Sequence, residues 1–131
     1  MALRRLRIDE LANAWVGDAS TPFQLGLLGL FDAGPWSRAD GAIDIEGVAL
    51  ELTARARCVD ELRRRVLWTR PWEGRALWVE DPRFDPARHI EHVTLGATDD
   101  LTTWAANRSV HPLDLHAPLW RAVLVDGLPE G

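Results

Sequence analysis

The sequence predicts an α+β fold, a mixed α/β sheet with flanking helices. Three observations carry that prediction. The chain has 131 residues, enough for one domain and too few for two. It is 47% hydrophobic and 27% charged, which is ordinary for a packed core and excludes a disordered chain. Segments of helical period alternate with short apolar runs, but in no strict β-α-β order.

The elements follow in order. Between Arg7 and Val16 the residues Ile8, Leu11, Ala12 and Trp15 fall at helical spacing, and Gly17, Asp18 and Ser20-Thr21-Pro22 end that helix. Phe23 to Phe31 is apolar on both faces, interrupted by Gly26 and Gly29, and predicts a buried central strand. Residues 32–41 are loop by composition. Asp44 is a natural N-cap for the clearest helix, whose stripe runs through Ile45, Val48, Ala49, Leu52, Ala56 and Val59. Short strands are expected at Val66 to Thr69 and Ala76 to Glu80, separated by Pro71, Trp72 and Gly74. After the Asp81–Pro86 turn, His89 to Leu95 predicts a strand with Ile90, Val93 and Thr94. Thr98 or Asp99 should cap a helix to about Ser109 with Leu101, Trp104 and Ala105 inward. Leu119 to Val125 predicts a last strand, wholly apolar except for Arg121, followed by a turn from Asp126.

Composition narrows the function classes. A net charge of −5 disfavours a nucleic-acid partner. Cys58 is the single cysteine, so no intramolecular disulfide and no cysteine-rich metal site can form; in its helix it reads as a small buried hydrophobe. The longest apolar stretch, around Leu25 to Phe31, falls short of the roughly 20 residues of a membrane span, and no signal-peptide core follows the N-terminal arginines. A cytoplasmic chain is expected. All 15 basic residues are arginine.

The candidate constellations are few. His89 and His92 have ligand-like spacing, but on a strand they face opposite sides, so no metal site is expected. His111 and His116 flank Pro112-Leu113-Asp114 without a nucleophile elbow at Ser109 or Cys58, so no catalytic residue is assigned. Arg63-Arg64-Arg65, with Arg70, Trp68 and Trp72, reads first as a solvated helix end. A phosphate or nucleic-acid patch is the sharper reading, and attraction to an anionic membrane surface a further one.

Three motifs in series resemble a known family. They are Thr21-Pro22 leading into Phe23 to Phe31, then Trp78-Val79-Glu80-Asp81-Pro82-Arg83-Phe84-Asp85 continuing to His89-Ile90-Glu91-His92-Val93, and finally His111-Pro112-Leu113-Asp114 followed by Ala117-Pro118-Leu119-Trp120. In this order and spacing they resemble the N-terminal part of the bacterial wax ester synthase/diacylglycerol acyltransferase family, within the chloramphenicol-acetyltransferase-like superfamily. The resemblance implies a partial subdomain of that fold, with residues 1–131 forming one incomplete domain. It implies an acyl-CoA-dependent O-acyltransferase that moves a fatty acyl group onto a long-chain alcohol or diacylglycerol. No cofactor is implied, because acyl-CoA is a substrate.

Pro118, Leu119 and Trp120 would lie near the acyl channel, with core packing as the competing role for Trp120. The family's base is the second histidine of an H-H-x-x-x-D-G motif. None of the four histidines here has that context, so the resemblance transfers no catalytic residue and the chain alone is expected to be inactive. The expected partners are therefore a missing C-terminal half, or a second copy paired through the 119–125 strand. Peripheral contact with a membrane or lipid droplet is also expected. Two alternatives remain open: a condensation-type transferase segment acting on carrier-bound acyl chains, and a non-catalytic module that binds lipid or a partner protein.

Overall fold

A computed structural model describes residues 3–17 and 23–128. Two separate small sheets organise it. The first is antiparallel, in the order β1-β3-β2, from β1 (Arg4–Arg5), β2 (Arg64–Leu67) and β3 (Leu77–Glu80). Arg4 pairs with Trp78 and Val66 with Trp78 on the other side, so β3 is central. The second sheet pairs β4 (Ile90–Thr94) and β5 (Ala122–Asp126) in parallel, with Ile90 opposite Ala122 and Thr94 opposite Asp126. Parallel neighbours require a crossover, and α3 (Leu101–Ser109) lies in it.

The other α-helices among the described residues are α1 (Ile8–Val16) and α2 (Ile45–Arg57), with short 3-10 turns at Gly34–Trp36, Asp60–Arg63 and Pro86–His89. Each helix start is legible chemically. Glu10 Oε2 accepts the Arg7 backbone N–H at 2.7 Å, Asp44 accepts from Gly47, and Asp100 accepts from Thr103. Asp100, and not Thr98 or Asp99, caps α3, because Asp99 is committed to the Gly96 backbone N–H.

The central core is small. Leu6, Leu11, Val66 and Ala76 are buried together, with Trp68, Trp78 and Leu119 packed against them. The α2 stripe is covered as far as Ala56, but Val59 lies beyond the helix and is exposed. Cys58 is exposed at the C-cap of α2, contrary to the buried reading: the helix ends there and turns its side chain outward.

The largest departure concerns Phe23 to Phe31. This segment forms no strand; Leu25 and Leu27 are 101% and 99% exposed. Apolarity on both faces signals a need for burial, yet no neighbouring strand among the described residues offers it an edge. A related correction applies to α1. Leu11 alone of its stripe is buried, whereas Ile8 and Trp15 face solvent. The Thr21-Pro22 motif lies outside the described residues.

Candidate functional site

The predicted channel residues lie where the chain approaches β5. Pro118 is buried, Leu119 packs on the Leu6–Val66 core, and Trp120 is half-buried. The Trp120 indole stacks on His89 with ring centroids 4.7 Å apart, and Phe84 closes the cluster at 6.4 Å. Trp120 Nε1 donates to the Leu62 carbonyl at 2.8 Å. His89 Nδ1 lies 3.0 Å from the Trp120 carbonyl, which can only accept, so Nδ1 carries the proton. The segment 86–90 thus contributes His89 to this stack. It also gives Ala87 and Ile90 to an open, apolar groove of about 370 Å³, whose other wall is Glu46, Ala49, Leu50 and Thr53 of α2.

Beside Trp120, Arg121 belongs to a second cluster. Glu91 on β4 receives the Arg108 guanidinium from α3, and Arg121 Nε lies 4.0 Å away. Arg121 Nη2 donates to the His111 carbonyl at 3.1 Å. Gln24 donates to that same carbonyl at 2.9 Å and to the Ser109 carbonyl, tethering the start of the exposed 23–31 segment to the end of α3. Sequence reasoning missed this cluster. Its signal was Arg121, the single charge in an apolar run.

The histidines are kept apart. His89 faces Trp120, whereas His92 Nε2 lies 3.1 Å from Asp126 at the far end of the sheet. The Thr94 hydroxyl and then His92 hold the Asp126 carboxyl below its ordinary range. His111 Nδ1 contacts the Asn107 carbonyl. No group of three or more His, Cys, Asp or Glu side chains suited to a metal occurs among the described residues.

Comparison with known proteins addresses the family. The wax ester synthase/diacylglycerol acyltransferase catalytic domain matches residues 8–131. The chain belongs to this family. Relatives include a probable diacylglycerol O-acyltransferase, tgs3, of Mycobacterium tuberculosis, 25% identical over 96% of this chain and 46% of that protein. A putative diacylglycerol O-acyltransferase of the same organism, Rv3087, is 35% identical over 59% of this chain and 17% of its own length. The wax ester synthase/diacylglycerol acyltransferase from Marinobacter aquaeolei VT8 shares the fold, with a TM-score of 0.57 at 21% identity over 71% of this chain and 22% of that one.

The chain therefore spans about half, or less, of the family members it matches. The α+β class and the N-terminal placement within the wax ester synthase/diacylglycerol acyltransferase family agree with the sequence reading. No helix among the described residues is long and apolar enough to cross a membrane.

Proposed function

We propose that this chain is the N-terminal segment of an acyl-CoA-dependent O-acyltransferase that makes wax esters or triacylglycerol. The observation that carries the reading is the family match over residues 8–131. In the complete protein a general base takes the hydroxyl proton of a long-chain alcohol or diacylglycerol. The oxygen attacks the thioester carbonyl, the carbon–sulfur bond breaks, and CoA leaves as the thiol after receiving a proton. This chain supplies scaffold and channel wall, not the base. Leu119 and Trp120 are only half-buried, which leaves apolar surface beside the β5 entry for an acyl chain.

Surface area supports a chain that works with further polypeptide. A compact monomer of 14.7 kDa exposes about 6,900 Å², whereas this chain exposes 9641 Å². The excess is on the scale of a large obligate interface. Such an interface could be filled by a C-terminal half or by a second copy. Substrates this apolar reside in membranes or lipid bodies, so peripheral contact with such a surface belongs to the same proposal.

The test is ester formation from acyl-CoA and a long-chain alcohol, by the chain alone and by the chain joined to a family C-terminal half carrying H-H-x-x-x-D-G. The joined protein should turn over and the isolated chain should not. Turnover by the isolated chain, lost in His111→Ala or His116→Ala, would overturn the assignment of roles. Transfer from carrier-bound acyl groups, but not from acyl-CoA, would favour the condensation-type reading. Silence of the joined protein with both donors would favour a binding module.

A further inference from the structure

The arginine–tryptophan region divides in two. Arg63 is paired with Asp60 and Glu80, and Arg65 lies 4.0 Å from Asp81, so two arginines of the 63–65 run are largely neutralised. Trp68 packs on the core. The rest of the motif is carried to the tip of the β2–β3 hairpin, where residues 70–75 are all exposed and Trp72 is 78% exposed.

This tip is a built structure. Glu73 N donates to the Arg70 carbonyl at 2.9 Å, and the Glu73 carboxylate accepts from Arg70 N at 3.0 Å. Gly74 takes a φ of +92°, which glycine tolerates, and the Thr69 hydroxyl donates to its carbonyl. Arg5 Nη1 reaches from β1 to the Glu73 and Arg75 carbonyls at 3.2 and 2.8 Å. Residues 70–75 thus carry two arginines, Arg70 and Arg75, and one carboxylate, Glu73, with the Arg5 guanidinium bound to the backbone of the same turn, on a chain whose net charge is −5. Neither Arg70 nor Arg75 forms an ion pair among the described residues.

We propose that the Arg70–Arg75 hairpin tip is an interfacial anchor for an anionic lipid surface, with Trp72 seated at headgroup depth and Arg70 and Arg75 on lipid phosphates. An indole has an apolar body with one polar N–H, and it settles where hydrocarbon meets water. Guanidiniums bind phosphate oxygens in a fork and keep their charge at any physiological pH. A turn already fixed by its backbone hydrogen bonds, with residues 70–75 exposed, loses little backbone freedom on docking. The local positive charge against a negative whole orients the chain, so that this end faces the lipid. The tip is separate from the Trp120 region, so this anchor can fail while the acyl-transfer reading stands.

The experiment is co-sedimentation of the full 131-residue chain with phosphatidylcholine vesicles, with and without about one-third phosphatidylglycerol. Binding should need the anionic lipid and weaken with salt. Arg70→Glu/Arg75→Glu should lower it by about 30-fold or more, and Trp72→Ala by several-fold. These side chains make no described contact in the fold, so circular dichroism of the variants should match that of the parent.

A second measurement removes any contribution from the exposed 23–31 segment. The emission of the parent minus that of Trp72→Phe isolates Trp72, and this difference should shift to the blue and be quenched by brominated lipid. Unchanged binding in the charge-reversed variant overturns the anchor, as does a difference spectrum insensitive to vesicles. Binding only to a protein partner through the same residues would also overturn it.

Discussion

The imidazole of His89 lies against the indole of Trp120 at an interplanar angle of 19°, while its Nδ1–H meets the Trp120 backbone carbonyl at 3.0 Å. One residue at the entrance to β4 therefore holds both the side chain and the main chain of the residue leading into β5. With Trp120 Nε1 on the Leu62 carbonyl, three distant segments converge on a single indole.

Trp120→Ala should cost about 2–4 kcal/mol, toward the lower part of the range for large aromatic truncations because the ring is half-buried. Trp120→Phe keeps an aromatic ring on His89 and loses the hydrogen bond to Leu62, for about 1 kcal/mol. Urea titrations of the two variants separate stacking from hydrogen bonding. A loss under about 1 kcal/mol for the alanine variant would show that the convergence carries little energy.

Acid should loosen the attachment of α1. The Arg4 guanidinium, the Arg7 backbone N–H and the Trp78 indole all favour the ionised Glu10, lowering its pKa from 4.5 to about 2. A depressed carboxyl pKa stabilises the fold above the unfolded value and loses that contribution as pH falls through the folded one. The window is therefore about pH 4.5 down to about 2. Because Arg4 is half-exposed, solvent screening reduces the effect to roughly 1 kcal/mol for Glu10. Glu10→Gln should be less stable at neutral pH and should flatten the stability profile in that window, as read by thermal melts in low salt.

Gly127 and Gly41 share a φ of +82°, yet they differ in surroundings. A Cβ at Gly127 would sit 2.5 Å from the Leu95 carbonyl oxygen, whereas nothing lies within 4 Å at Gly41. Gly41→Ala should cost about 1 kcal/mol, the left-handed penalty alone. Gly127→Ala should cost more, about 2–4 kcal/mol, by forcing the end of β5 away from Leu95. Equal losses in denaturant titrations would mean that the close approach relaxes freely.

The exposed apolar surface should drive self-association when the chain is alone. Unpaired strand edges and apolar runs template contacts with other chains, and a net charge of −5 is screened beyond about 8–10 Å. Sedimentation across a dilution series should show a concentration-dependent mass. Leu25→Glu/Leu27→Glu should reduce it if the 23–31 segment is the sticky surface, and Val123→Lys if β5 is. A monomer at high concentration, unchanged by either variant, would mean that neither surface associates.

Local patterns were the legible part of this fold. The stripe of α2 as far as Ala56 and the inward set Leu101, Trp104 and Ala105 of α3 read correctly, because helix periodicity is written in neighbouring residues. The β4 and β5 segments were also found, with β5 displaced to Ala122–Asp126. Strand β1 was not legible: Arg4 and Arg5 carry no apolar signal, and their pairing is decided by Leu77 and Trp78. The apolar character of Leu25 and Leu27 states a need for burial but not what supplies it. In the candidate site, Pro118, Leu119 and Trp120 were expected at the channel from the resemblance alone. The His89 stack and the Glu91–Arg108–Arg121 cluster depend on residues from separate elements, which no local pattern encodes.

The pairing of Arg4 with Trp78 has a consequence for synthesis. Strand β1 leaves the ribosome with nothing to bond to, and its partner emerges only after residues 6–76 have been made. The intervening loop must close before β1 joins its sheet, and it contains the uncovered 23–31 segment. The parallel unit β4-α3-β5 closes over a much shorter span. Strand β1 is thus the last part of the antiparallel sheet to be secured, although it is translated before β2 and β3. The leucines at 25 and 27 stay uncovered during that interval and after it, so a chaperone that binds apolar segments can reach them before β1 is secured as well as afterwards.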